Sequence, residues 1–186
     1  NLLAGADGDD TLLGRGAADT LDGGAGSDWA SYADAAVGVT ADLANPAGNT
    51  GDAAADTYRS IENLLGGVAA DVLRGDAASN RLAGGAGDDT LAAGGGDDWL
   101  EGGDGADRLD GGSGVDTVSY ASAGQAAVAD LSALTGNAGA AAGDTFVDIE
   151  NLVGTPFADV LTGSAAGNAL FGGAGADTIA GRESAD

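Results

Sequence analysis

A nine-residue period runs through most of the chain and limits it to a narrow class of architectures. Residues 84–119 read GGAGDDTLA, AGGGDDWLE, GGDGADRLD and GGSGVDTVS, four blocks without a gap. Each has glycines at its front, an Asp at position six and an aliphatic residue at position eight. Blocks open at Gly5, Gly14 and Gly23, then at Gly66, Gly75, Gly84, Ala93, Gly102 and Gly111, and again at Gly154, Gly163, Gly172 and Gly181. Position six carries Asp10, Asp19, Asp28, Asp71, Asn80, Asp89, Asp98, Asp107, Asp116, Asp159, Asn168, Asp177 and Asp186. Positions seven to nine alternate outward, inward, outward, as a very short strand does. One block buries a single aliphatic side chain and cannot form a core; stacked blocks can. The period therefore predicts an all-β solenoid of short strands joined by glycine-rich turns.

Composition says that apolar burial alone will not hold such a stack. Leu, Ile, Val and Phe number 34 of 186 residues, and the formal charge is -24. Few bulky apolar side chains with high net charge describe a chain that stays disordered unless something else stabilises it. The 36 glycines add to the entropy lost on folding. There is no cysteine, so no disulfide supplies the missing cohesion. A chain this acidic repels nucleic acid and anionic membrane, and its natural partners are cations or basic surfaces. No apolar run reaches membrane-spanning length, so no membrane insertion is expected.

Two interruptions break the period. Residues 29–67 match 117–155 at an offset of 88, with Tyr32 on Tyr120, Asp42 on Asp130, Asp56 on Asp144, and IENL at 61–64 on IENL at 149–152. The runs are thus 5–31, 66–119 and 154–186, with insertions at 32–65 and 120–153. Counting back nine from Asp71 and Leu73 reaches Glu62 and Leu64, so Thr57–Leu65 and Thr145–Val153 read as degenerate blocks without their glycines. Val39, Ala41 and Leu43 alternate as in a half-buried strand, and Asn45–Gly51 has turn composition. The insertions are expected to add longer strands and a loop to one continuous roll. The chain starts and stops inside a block, as an excised piece of a longer array would.

Glycines at positions one, two and four let a turn curl so that several carbonyls face one spot, and the Asp adds a charged oxygen. Calcium takes six to eight hard oxygens in flexible geometry. Zinc, copper and iron look for His or Cys, and the chain has neither. Magnesium holds its waters and demands stricter geometry, so carbonyl-lined turns suit it less.

On these phased residues the chain resembles the hemolysin-type calcium-binding, or RTX, repeat family over essentially its whole length. The SYA…DL…IEN interruptions resemble the C-terminal domains of serralysin-type proteases and the R-modules of mannuronan epimerases. The resemblance implies a right-handed parallel β-roll with two blocks per turn and each calcium held between neighbouring turns by two aspartates and several carbonyls. Blocks eighteen residues apart then pair: Asp10 with Asp28, Asp71 with Asp89, Asp89 with Asp107, Asp98 with Asp116, and Asp159 with Asp177, with Asn80 beside Asp98 contributing no charge. The turn glycines of those sites are Gly8, Gly26, Gly85, Gly87, Gly96, Gly103, Gly105, Gly112, Gly114, Gly173 and Gly175. Turns with a side chain in place of the fourth glycine, at Ala17, Ala69, Ala78, Phe157 and Ala166, are expected to be weaker. About five to seven ions would fill such an array, and their binding free energy would become folding free energy.

The resemblance also implies type I export of a larger bacterial protein, with folding in extracellular calcium at about millimolar concentration. A non-catalytic, monomeric module is expected. There is no Lys, His or Cys to act as base or nucleophile, and the carboxylates already have a structural task. The alternative is an interaction or adhesion module that presents polysaccharide, surface-layer or adjoining-domain contacts. Trp29 and Trp99, both at the outward position seven, would mark such a surface.

Overall fold

The computed structural model describes residues 1–133 and 135–182. Asp186, expected at position six of the last block, lies outside the described residues. The chain is a parallel β-roll with two opposed walls. One wall is a single eight-stranded parallel sheet, built in chain order from Thr11–Leu12, Trp29–Ser31, Asn63–Leu65, Arg81–Ala86, Trp99–Asp104, Thr117–Ser119, Asn151–Val153 and Ala169–Phe171. The register advances by eighteen in the uninterrupted run: Leu82 pairs with Leu100, and Leu100 with Val118. On the opposite wall Leu73 pairs with Leu91 and Leu91 with Leu109. Two blocks make one turn, as the family resemblance implies.

Position eight supplies the core. Leu21, Leu73, Leu82, Leu91, Leu100, Leu109, Val118, Leu152 and Leu161 are all fully buried. They form two facing files with no second layer behind them. Position seven faces outward. Trp29 and Trp99 are half-buried there, and the Arg81 guanidinium sits 5.4 Å from the centre of the Trp99 ring, covering one face of it. Among the described residues no helix is long and apolar enough to cross a membrane.

The second wall is broken into three sheets, and the interruptions are the reason. After Trp29–Ser31 the chain crosses over and lays Thr40–Asp42 against Val72–Arg74, one turn ahead of its place. It then returns through two short 3-10 turns, Pro46–Gly48 and Gly51–Ala53, and lays Thr57–Arg59 against Thr20–Ala25, one turn behind. These two inserted strands fall in different sheets of this wall, so the wall parts between them. The second interruption repeats the manoeuvre: Ala127–Asp130 pairs with Val160–Thr162, and Thr145–Val147 with Arg108–Ser113.

Two expectations change. The inserted strands are not longer than the others: Thr40–Asp42 has three residues and Ala127–Asp130 four, against six in Thr90–Gly95. The degenerate block keeps its phase at Glu62 and Leu64, but Thr57–Arg59 is itself a strand of the opposite wall. Only residues 60–62 then join it to Asn63–Leu65, where a full block has six residues, such as 93–98, between strand triplets. The turn is too short to curl as the glycine-rich ones do.

Side chains fill the parting. The Asp42 N–H donates to Asn49 Oδ1 (2.9 Å), Asn49 Nδ2 donates to the Tyr58 hydroxyl (3.0 Å), and the Tyr58 and Tyr32 hydroxyls lie 2.6 Å apart. Tyr32 OH also donates to Asp56 Oδ2 (3.0 Å). In the second interruption Phe146 replaces Tyr58, and Asn137 reaches the backbone oxygen of Asp144 directly (2.8 Å).

Candidate metal centres

The position-six side chains form two files, one at the mouth of each wall. Each file is held by the same contact repeated. The backbone N–H of one position-six residue donates to Oδ1 of the next, one turn on. The distances are 2.8 Å from Asp10 to Asp28, 2.7 Å from Asp71 to Asp89, 2.7 Å from Asn80 to Asp98, 2.9 Å from Asp89 to Asp107, 2.8 Å from Asp98 to Asp116 and 3.0 Å from Asp159 to Asp177. All six expected pairs are therefore neighbours. The eleven expected turn glycines all sit in the turns beside them with positive φ.

Oδ1 is satisfied by this contact, and Oδ2 is not. Among the described residues, seven carboxylate oxygens, Oδ2 of Asp10, Asp19, Asp28, Asp89, Asp98, Asp107 and Asp116, are shielded from solvent with no hydrogen-bond partner. A buried carboxylate oxygen without a donor is costly. Burial raises the carboxyl of Asp89 to about 6, with the Asp71 charge adding to it. Burial likewise raises Asp98 to about 6, with help from Asp116, and Asp107 to about 7, with help from Asp144. Asp116 moves the same way, through burial and then the Glu150 charge. A hard cation removes this strain by neutralising several of these groups at once.

The glycines make the room. A Cβ on Gly84 would strike Asp89 Oδ2 and lie 2.6 Å from the carbonyl oxygen of Gly102 in the next turn; a Cβ on Gly5 would meet Asp10 Oδ2 and Gly23 O in the same way. Carboxylate and carbonyl oxygens thus converge where a side chain would have to go. At Gly103 φ is +107°, and a Cβ there would also collide with Gly85 O. No group of three acidic side chains gathers anywhere among the described residues. Each gap offers at most two carboxylates, and the remaining donors must be backbone carbonyls, a set that suits calcium and no soft metal.

The turns are of two kinds. Open turns hold positive φ at positions two and four, as in Gly85 and Gly87, Gly94 and Gly96, Gly103 and Gly105, and Gly112 and Gly114. Closed turns follow each interruption. There the N–H of the second residue points inward and caps the turn's own position-six side chain. Gly67 donates to Asp71 Oδ2 (2.6 Å), Asp76 to Asn80 Oδ1 (2.8 Å), Thr155 to Asp159 Oδ2 (2.6 Å) and Ser164 to Asn168 Oδ1 (2.7 Å). All four closed turns lack the fourth glycine, at Ala69, Ala78, Phe157 and Ala166. Those are four of the five turns expected to be weak. The fifth, at Ala17, takes φ of +117° despite its side chain.

Four further acids join the files. Asp56 Oδ1 accepts the Asp19 N–H (2.9 Å), and Asp144 Oδ1 accepts the Asp107 N–H (2.9 Å), the same role a position-six Asp plays. Glu62 and Glu150 each accept the preceding N–H, from Asp28 and Asp116, at 2.9 Å. The Glu pair was visible in the phase. The Asp pair was legible too: DTYR at 56–59 and DTFV at 144–147 copy the DTLA of 89–92. Its place was hidden because the partner N–H groups lie 37 residues away.

A family model describing the RTX calcium-binding nonapeptide repeat matches the chain four times, at residues 1–30, 60–91, 84–118 and 149–186. The unmatched stretches, 31–59 and 119–148, fall within the two interruptions. No curated protein matches the chain. With more than half of its residues covered, and with turns, files and unpartnered carboxylates where the repeat places them, the chain belongs to the RTX calcium-binding nonapeptide repeat family.

Proposed function

We propose that this chain is a non-catalytic module that folds on binding calcium outside the cell and so supports type I secretion and folding of a larger bacterial protein. The observation that carries the reading is the set of seven buried, unpartnered carboxylate oxygens at the turns. They make the metal-free roll costly to form and give calcium its stabilising role. Where calcium is scarce the charge keeps the chain extended; at extracellular concentrations the gaps fill and the roll closes.

Ligands are assigned from the open turns. Asp10 with Asp28, Asp89 with Asp107, and Asp98 with Asp116 face each other across gaps open on both sides. Asp71 with Asp89 and Asp159 with Asp177 face gaps with one closed turn, so they hold calcium more weakly. This gives about five ions, the lower end of the expected range. Circular dichroism in calcium and after chelation tests the reading. A β spectrum should appear with calcium and be lost to EGTA, and a spectrum indifferent to chelator rejects it.

A further inference from the structure

Asn80 and Asn168 stand at position six where most turns carry Asp, and their amides do something no carboxylate can. Asn80 Nδ2 donates to the backbone oxygen of Glu62 (2.8 Å), and Asn168 Nδ2 donates to that of Glu150 (2.8 Å). Their Oδ1 atoms accept the N–H of Asp76 and Ser164 in their own turns. Both ends of each amide are fixed, because reversing it would set NH2 against N–H and oxygen against oxygen. We propose that these amides take the place of a cation, so that each interruption leaves one level of the stack metal-free and the calcium array loads as three separate groups. The proposal rests on the calcium reading above.

The physical case has three parts. First, an N–H pointed at a carbonyl oxygen offers the positive end of a dipole where calcium would otherwise sit. An Asp at 80 or 168 would instead oppose two oxygens, which only a cation could reconcile. Second, the turn beneath each amide is the short one, 60–62 or 148–150, with no run of glycines to line a cage. Third, the opposite file is closed near the same interruption by another protein donor. Tyr32 OH bonds Asp56 Oδ2 (3.0 Å), and Tyr120 OH bonds Asp144 Oδ2 (2.6 Å). None of the seven unpartnered oxygens belongs to these closing residues. The metal-free levels coincide with the partings of the second wall. Asp10, Asp19 and Asp28 fall on one side of the first, Asp89 to Asp116 lie between the two, and Asp159 and Asp177 lie beyond the second.

Anomalous scattering from crystals of the full chain grown with terbium tests this directly. Peaks between Asp10 and Asp28, Asp89 and Asp107, Asp98 and Asp116, and Asp159 and Asp177, with none beside Glu62 O or Glu150 O, support it. A peak at either carbonyl, with the amide displaced, overturns it and leaves the calcium reading standing. No peak at any turn overturns both. In solution, equilibrium dialysis with calcium should count the same number of ions for Asn168→Ala as for the unaltered chain, whereas Asp98→Ala should lose at least one. Loss of an ion from Asn168→Ala also overturns the proposal.

Discussion

The uninterrupted run at 84–119 and the paired blocks after each interruption share one period and one aliphatic file. They differ in what the position-six carboxylate does. In the central run Asp89, Asp98, Asp107 and Asp116 each hold Oδ2 buried with no donor. After the interruptions Asp71 and Asp159 turn the same oxygen onto an N–H of their own turn. The distinguishing residue is the fourth: glycine at 87, 96, 105 and 114, a side chain at 69, 78, 157 and 166. With glycine the turn adopts positive φ at positions two and four. Without it the four turns after the interruptions fold in on their own position-six side chains, while the turn at Ala17 stays open with φ of +117°. An Asp at position six does not by itself leave its Oδ2 without a donor; the backbone conformation two residues earlier decides.

The broadest test is pH, because it acts on several open turns together. In the metal-free chain Asp89 and Asp98 titrate near 6 and Asp107 near 7, all above the ordinary carboxyl value of 3.8. A raised carboxyl favours the folded state while protonated, so its contribution is full below about 4 and is lost as pH rises through 6 to 7. In calcium-free buffer β structure should therefore be greater near pH 4.5 than near pH 7.5. With calcium the dependence reverses, since protons compete for the same oxygens, and the calcium midpoint should rise as pH falls below about 6. Far-ultraviolet circular dichroism across pH, with and without calcium, reads both. Metal-free β content that increases from pH 4.5 to 7.5 contradicts the picture of strained open turns.

A sharper contrast uses one substitution in each region. Gly103 and Gly67 both occupy position two. A Cβ at Gly103 meets φ of +107° and the Gly85 carbonyl, whereas a Cβ at Gly67 has no closer neighbour than Tyr32 O at 3.0 Å. Gly103→Ala should cost at least about 2 kcal/mol in the calcium-loaded roll, and Gly67→Ala about 1 kcal/mol or less. Urea denaturation in saturating calcium measures both. Equal losses would mean that open and closed turns do not differ as described.

Much of this contrast was legible before any coordinates. The phase located the core positions and the position-six residues, and the family resemblance, with its two blocks per turn, paired them at a spacing of eighteen. Loss of the fourth glycine marked the four closed turns but also the turn at Ala17, which stays open with φ of +117°. The path through the interruptions was not legible. Val39, Ala41 and Leu43 alternate in any rung, so the pattern cannot say that Thr40–Asp42 pairs one turn ahead while Thr57–Arg59 pairs one turn behind. Nor did sequence show that Tyr32 and Tyr120 serve as donors to Asp56 and Asp144, which needs two segments 24 residues apart brought to one point.

Those tyrosines set the interruptions against the open turns in another way, since they satisfy a carboxylate with protein alone. Tyr120→Phe leaves Asp144 Oδ2 buried without its hydroxyl and should cost about 1–3 kcal/mol. The loss should persist with calcium present, because no ion is assigned to that oxygen. Tyr32→Phe removes two contacts, to Asp56 and to Tyr58, in a hydrogen-bonded chain that the second interruption lacks. Thermal unfolding in saturating calcium should show a loss for both. A Tyr120→Phe protein as stable as the unaltered chain would show that a cation reaches Asp144 after all.

The smallest effect comes from converting a closed turn into an open one. Ala69→Gly restores the fourth glycine beneath Asp89 and frees the turn to release Asp71 Oδ2 from the Gly67 N–H. Without calcium the change should destabilise slightly, by about 0.5–1 kcal/mol, from the added freedom of the unfolded chain. With calcium it should tighten the gap between Asp71 and Asp89, so the midpoint of calcium-induced folding moves to lower concentration. The opposite signs make the test specific, because a purely structural substitution would move both states the same way. Calcium titrations followed by far-ultraviolet circular dichroism read both states. A midpoint shifted upward, or a gain in stability without calcium, would mean that the fourth residue does not govern the turn and that closure is imposed by the neighbouring interruption.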